Sequence, residues 1–290
     1  SACVWFFLLG STDVGRAQGQ GEGKGVASWS TPRTAWGAPD LQGVWDYRTM
    51  TPLERPREFS GKAVMSDEEA AAYTTRRLAE QADYDLAPSV HAKWWLDYGK
   101  ELTDDHRTSL IVDPPDGRIP HLTDAARERG AARAERRRTH GADAAEYRGL
   151  SERCLSFGIP RLPGAYNNNY HILQTPEYVA IVSEMVHDAR IVPLDGRPLP
   201  SIPQWHGESR GHWEGDTLVV ESASYTAQGA FRGSTAGVRI VERFTRVASD
   251  TIEYEIRAED QATWAAPWSV MFPMKKASQS MFEYACHEGN

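Results

Sequence analysis

From Tyr170 to the C-terminus the chain is a succession of short apolar runs broken by tight turns, and that spacing restricts the fold more than any other feature. Residues 170–174 and 178–182 flank a Thr175-Pro176 break, and 189–192 run into Leu194-Asp195-Gly196-Arg197-Pro198. Residues 211–213 and 217–222 flank Glu214-Gly215-Asp216, a tight hairpin turn, and 238–247 and 251–258 alternate around Ala248-Ser249-Asp250. Residues 269–272 and 282–286 complete the set. Strands recurring every ~8–12 residues with turns between them predict an antiparallel barrel or sandwich. A nucleotide-binding α/β fold would need strands alternating with helices and a glycine-rich phosphate loop, and the sequence offers neither.

The first half reads differently. Ser66-Asp67-Glu68-Glu69 is a capping box, so a helix is expected from Asp67 to about Gln81, its few small apolar residues packed against a sheet. The Ala/Arg/Glu-rich stretch 124–148 reads as a solvated helix; the sharper alternative is a basic patch around Arg136-Arg137-Arg138 for an anionic partner. Between them, 110–112 form a short strand that stops at Asp113-Pro114-Pro115-Asp116-Gly117. The aromatic cluster Lys93-Trp94-Trp95-Leu96-Asp97-Tyr98 has no clear element signal.

At the N-terminus, Val4-Trp5-Phe6-Phe7-Leu8-Leu9 followed by Gly15-Arg16-Ala17 reads as the back half of a secretory signal peptide cut after Ala17. The Gly/Ser/Pro-rich stretch up to residue 35 reads as a flexible leader. Residues 36–290 are then one barrel-like domain with a helical insertion at about 66–150. A secreted or periplasmic chain favours disulfides. With Cys3 in the leader, Cys154 and Cys286 are the expected long-range pair, and two buried free thiols are the alternative. The 32 Lys+Arg against 40 Asp+Glu give a net charge of -8, which repels nucleic-acid phosphate. No apolar run approaches the ~18 residues of a membrane-spanning helix.

Three polar clusters are candidates for chemistry. Glu184-Met185-Val186-His187-Asp188-Ala189-Arg190 is the densest. If a strand continues through it, Glu184, Asp188 and Arg190 share one face; if it bends after His187, that side chain joins them. A His beside carboxylates can pass protons near neutrality, and Arg190 suits an oxyanion. A cross-strand ion-pair ladder is the structural alternative. Asn167-Asn168-Asn169-Tyr170 is either a self-bonded corner or a set of amides and a hydroxyl that position a ligand. In 204–213, Trp205 and Trp213 interleave with polar residues, as a pocket wall would, or as a loop capped by its own rings. No nucleophile elbow is expected around Gly207-Glu208-Ser209-Arg210-Gly211. The nine His fall in no HxH or HExxH spacing, so no metal is assigned.

Several long motifs resemble a family of uncharacterised secreted bacterial proteins. They are Ser151-Glu152-Arg153-Cys154-Leu155, Tyr166-Asn167-Asn168-Asn169-Tyr170, the Glu184–Arg190 cluster with Ile191-Val192-Pro193-Leu194-Asp195-Gly196-Arg197-Pro198, Trp213-Glu214-Gly215-Asp216-Thr217-Leu218-Val219-Val220, Phe231-Arg232-Gly233, Val241-Glu242-Arg243-Phe244 and Tyr284-Ala285-Cys286-His287-Glu288-Gly289-Asn290. The likeness covers about residues 36–290 and implies no agreed activity. His171 stands where the family pattern has Gln, and His212 where it has Arg, so no shared His-based metal site follows. A looser likeness, from Gly43-Val44-Trp45 and the late meander, is to lipocalin-like barrels, which often begin with a Gly-x-Trp whose ring plugs the barrel end.

The expected fold is therefore a mainly antiparallel lipocalin-like β-barrel, or a curved sheet, with a few inserted helices. The expected function is a secreted enzyme doing acid–base chemistry of lyase, isomerase, hydratase or cyclase type on a small molecule in the barrel, without a cofactor. His187 would be the acid or base, Asp188 or Glu184 its orienter and Arg190 the oxyanion partner. Asn168, Asn169 and Tyr170 would position the substrate between Trp205 and Trp213. The rivals are a non-catalytic carrier of a small hydrophobic or aromatic ligand and a structural envelope protein.

Overall fold

A computed structural model describes residues 29–84, 97–141, 143–282, 284 and 286. The expected signal peptide with Cys3, and Lys93, Trp94, Trp95 and Leu96 of the aromatic cluster, lie outside these residues. So do His287 and the rest of the C-terminal motif after it.

Among the described residues, ten strands make one antiparallel sheet: β1 (Gly43–Asp46), β2 (Ile111–Asp113), β3 (Asn169–Gln174), β4 (Tyr178–Ser183), β5 (Ala189–Pro193), β6 (Glu208–Glu214), β7 (Thr217–Ala223), β8 (Arg239–Ala248), β9 (Thr251–Glu259) and β10 (Trp268–Lys276). Their order is β5-β4-β3-β1-β10-β9-β8-β7-β6, with β2 also on β10. Two meanders, β3 to β5 and β6 to β10, are thus joined through the short β1, where Trp45 is opposite both Tyr170 and Lys276. The sheet curls until its two end strands, β5 and β6, approach each other, giving the nearly closed barrel that the strand spacing predicts.

The period-2 alternation decides which side chains go inside. Ile240, Glu242, Phe244 and Arg246 of β8, Ile252, Tyr254, Ile256 and Ala258 of β9, and Trp268, Val270, Phe272 and Met274 of β10 are all buried. Aromatic rings fill the interior. Phe244 stacks on Tyr254 at 4.4 Å, Tyr254 meets Phe272 edge-on at 5.1 Å, and Tyr47 lies 5.0 Å from Tyr170. Each such ring or large aliphatic side chain taken fully out of water contributes about 1.5–3 kcal/mol. Trp45 is completely buried, its indole N–H donating to Leu41 O at 2.8 Å. The Arg246 guanidinium lies 5.5 Å over that ring and donates to Asp40 O and Ser249 O, tying the entry to β1 to the β8–β9 turn.

At the seam between the end strands, Gly211 of β6 lies under Val192 and Leu194. A Cβ there would sit 2.8 Å from a methyl carbon of each. Gly211→Ala is therefore expected to destabilise the protein by about 1–3 kcal/mol, through overpacking. Urea denaturation checks this, and an unchanged midpoint would mean that Val192 and Leu194 move aside to admit the methyl group.

Helix α1 (Asp67–Tyr84) begins at the expected capping box. The Ser66 N–H donates to Glu69 Oε2 at 2.7 Å, and the Glu69 N–H donates to Ser66 Oγ at 3.3 Å. It does not pack against the sheet as expected. Ala70 and Tyr73, its buried apolar residues, join Phe59, Met65 and Leu102 in a small separate cluster, a contact surface too small to reach the barrel core. Helix α2 (Asp124–His140) is shorter than expected, passing into a turn at Gly141, and only Ala126 is buried, as a solvated helix requires. Phe282, Tyr284 and Cys286, expected to end the sheet, lie outside any strand, and β10 instead continues to Lys276. Among the described residues no helix is long and apolar enough to cross a membrane.

Candidate functional site

The β4–β5 connection decides the geometry of the densest motif. Instead of continuing as a strand, Met185–His187 form a 3-10 turn in which Val186 has φ 56, the left-handed region that β-branched residues avoid. The two valine and methionine side chains are buried, and the flanking acids diverge. The side chain of His187 lies outside the described residues.

Glu184 turns toward β3, where its Oε2 accepts from Asn169 Nδ2 at 2.8 Å. With Asn168 and Asn169 it lines a surface cavity of roughly 390 Å³ that also contains Asp46, Asp97 and Lys275. Asn168 is nevertheless committed to backbone: its Oδ1 accepts from Gly164 N–H at 2.8 Å, and its Nδ2 donates to Gly164 O and Asp97 O. Tyr170 is completely buried, its hydroxyl accepting from the Arg161 N–H at 2.7 Å, and burial pushes its pKa up to about 12.

Arg190 points into the barrel core. Its guanidinium donates through both terminal nitrogens to the Glu242 carboxylate of β8, and the Tyr254 hydroxyl donates to the same carboxylate. Burial opposes the guanidinium charge, but Glu242 overrides it, so Arg190 holds its proton more tightly than in water. Burial and the Glu242 charge together push Tyr254 well above the usual phenol range. Trp213 is half-buried against the core cluster, and Trp205 is exposed.

Asp188 reaches a different set of partners. Its Oδ2 accepts from Ser156 Oγ at 2.9 Å and from the Phe157 N–H at 3.3 Å, and its Oδ1 lies 3.2 Å from His206 Nε2. The same His206 nitrogen is 2.8 Å from Ser156 Oγ, which also accepts from the Gly158 N–H at 2.8 Å. The cluster is held by three separate parts of the chain: the loop after Cys154, the β4–β5 turn and the segment before β6. The Cys154–Cys286 disulfide, with Cα atoms 6.0 Å apart, fixes the first of these two residues from Ser156.

This is not a serine-hydrolase triad. In that arrangement the Ser and the Asp engage opposite ring nitrogens, whereas here one nitrogen serves both and the Ser proton goes to the carboxylate. Nor is Ser209 a nucleophile, although Gly207 to Gly211 carry the G-x-S-x-G spacing. The segment runs into β6 with no elbow, and Ser209 is buried with its Oγ 2.7 Å from Ser222 Oγ. The ring and carboxylate of the cluster can move and hold a proton, and the Ser hydroxyl can position it. Ser156 also lines a second cavity of roughly 380 Å³, with Phe157, Arg161, Phe231 and Arg232 in its walls.

The expected site residues thus separate into three places: Asn168, Asn169 and Glu184 on one surface, Tyr170 and Arg190 in the core, and Asp188 with Ser156 and His206. Sequence reasoning passed over Ser156 and left His206 as a pocket-lining neighbour of Trp205. The three partners lie 32 and 50 residues apart, a spacing that leaves no local motif to read. Among the described residues, no group of three or more His, Cys, Asp or Glu is gathered as a metal ion would need. No family model, curated protein or solved structure matches the chain.

Proposed function

We propose that the protein is an exported enzyme that moves a proton on a small molecule bound beside the β4–β5 turn, by lyase, isomerase, hydratase or cyclase chemistry. The observation that carries this reading is His206 Nε2 at 2.8 Å from Ser156 Oγ and 3.2 Å from Asp188 Oδ1, beside an open cavity. The Ser156 hydroxyl gives its one proton to Asp188, so toward His206 it can only accept; Nε2 therefore carries the ring proton and Nδ1 is the basic nitrogen. Nδ1 has no hydrogen-bond partner among the described residues, and the His206 side chain is 24% exposed. Ser156 fixes the ring's tautomer and angle, and the Asp188 carboxylate, also close to the ring, fixes the Ser hydroxyl in turn. The reading keeps Asp188 from the sequence motif and moves the acid–base role to His206. The disulfide supports export, because such bonds persist in oxidising compartments.

A lipocalin-like carrier would hold its ligand inside the barrel, and the rings of Tyr170, Phe244, Tyr254 and Phe272 occupy that space. The enzyme reading is tested by incubating the protein with a panel of small metabolites and following each by proton NMR. Wild type is expected to consume at least one compound. His206→Asn should slow that turnover by roughly 10²-fold or more, the usual contribution of a positioned acid or base. Turnover that survives His206→Asn would sink the assignment, and binding without turnover in the wild type would make the protein a carrier after all.

A further inference from the structure

We propose that the cavity lined by Ser156 binds a small carboxylate with an apolar body, its negative charge held between Arg161 and Arg232. This rests on the preceding reading only in taking the ligand for the substrate; the binding itself stands independently of turnover.

The chain is acidic overall, with a net charge of -8, yet this cavity contains two arginines and neither an Asp nor a Glu in its walls. Arg48 sits against Asp46 and Asp97, and the buried Arg190 against Glu242; the other buried arginines, Arg55 and Arg246, are held by hydroxyl and carbonyl oxygens. Among the described residues, neither Arg161 nor Arg232 has a carboxylate oxygen within ion-pair distance.

Arg161 is held in place without being neutralised. One terminal nitrogen donates to Phe157 O at 3.1 Å, the guanidinium lies 5.6 Å from the centre of the Phe157 ring, and Nε is buried with no hydrogen-bond partner. Arg232 follows the buried Phe231 at φ 49, a conformation uncommon outside glycine, and makes no bond to the rest of the protein among the described residues. Burial by its surroundings weakens its hold on its proton, with the Glu54 charge acting in the opposite sense without reversing it. A partly desolvated cation is unfavourable unless a negative charge is brought into contact with it, and Glu54 makes no ion pair with it. A ligand anion is the missing partner.

The rest of the wall states what else the ligand carries. Phe157, Leu162, Pro163 and Phe231 give the cavity an apolar side, which suits an aryl or alkyl group and disfavours a sugar phosphate. The volume, roughly 380 Å³, lies at the small end of ligand cavities. A planar carboxylate also matches the paired N–H donors of a guanidinium, and the two arginines can share its two oxygens. Ser156 is the wall residue that links the cavity to His206 and Asp188.

The test is isothermal titration of the full chain with trans-cinnamate and octanoate, against cinnamamide and inorganic phosphate. At least one of the two carboxylates is expected to bind, with cinnamamide at least tenfold weaker than cinnamate and phosphate weaker still. Arg232→Gln should weaken the carboxylate at least tenfold without moving the melting temperature, because Arg232 supports nothing in the fold. His206→Asn, which removes turnover in the preceding reading, should bind within about twofold of wild type, so failure of binding and failure of chemistry are separable. The proposal is overturned if the amide binds as well as the acid, if Arg232→Gln binds as well as wild type, or if neither carboxylate binds. Tighter binding of inorganic phosphate would also overturn it, by making the site one for phosphate groups.

Discussion

Replacing Arg190 by Met is expected to destabilise the protein by about 3–5 kcal/mol, the usual cost of removing one partner from a buried ion pair. Arg190 and Glu242 sit in the barrel core with side chains 3% and 0% exposed, so the carboxylate left behind cannot recover its charge solvation from water. Tyr254 would still donate to it, but one neutral hydroxyl does not balance a full charge. For a domain of this size each kcal/mol moves the melting temperature by roughly 2–4 °C, so a fall on the order of 10 °C is expected. The triple change Arg190→Met, Glu242→Leu and Tyr254→Phe should regain most of that loss. It removes every polar group of the network together and refills the space with apolar volume. Thermal melts of the two variants and the wild type decide the matter. A single variant that melts within a degree or two of wild type would return Arg190 to the list of functional residues, where its position in the motif had first put it.

That motif illustrates how far the sequence could be read. Alternation in 238–247 and 251–258 is strict enough that the interior of β8 and β9 follows from a period of two, and the turns at Gly215 and at Ser249-Asp250 mark where the strands reverse; β10 was legible only in its middle, 269–272. The capping box before α1 was equally legible, because its two hydrogen bonds lie within four residues. What the sequence could not carry was the turn inside 184–188. Val186 at φ 56 reverses the chain where a β-branched residue suggests a continuing strand, and this sends Glu184 and Asp188 to different partners. The partners themselves, Ser156 and His206 for Asp188 and Glu242 for Arg190, come from elements brought together by barrel closure alone. A cluster built across three distant segments has no spacing to recognise. The two arginines of the cavity were hidden for the same reason, since Arg161 and Arg232 look in sequence like ordinary loop cations. What sets them apart is that both line one cavity whose walls hold no carboxylate.

The Cys154–Cys286 bond covalently closes a long loop, and its removal is expected to have the other large effect. A chain-entropy account of a sequence separation of 132 gives a ceiling of about 5 kcal/mol for its contribution. Reduction, or the paired change Cys154→Ser and Cys286→Ser, should therefore lower the urea midpoint well outside experimental error. A local effect is expected at milder conditions. After Lys276 the chain leaves the sheet, and besides the disulfide it is tied back through Tyr284, whose ring meets Phe157 edge-on at 6.0 Å and stacks with Tyr166 at 6.5 Å. Phe157 is also a wall of the arginine-lined cavity, and Ser156 beside it locks Asp188 and His206. Freeing Cys154 thus loosens the one loop that serves both the cavity and the proton-handling cluster, while the barrel strands stay hydrogen-bonded to one another. The doubly substituted protein should lose cinnamate binding at temperatures where its far-ultraviolet circular dichroism is still native. If binding and secondary structure are instead lost together, the disulfide stabilises the whole barrel and does not hold the site as a separate layer of the structure.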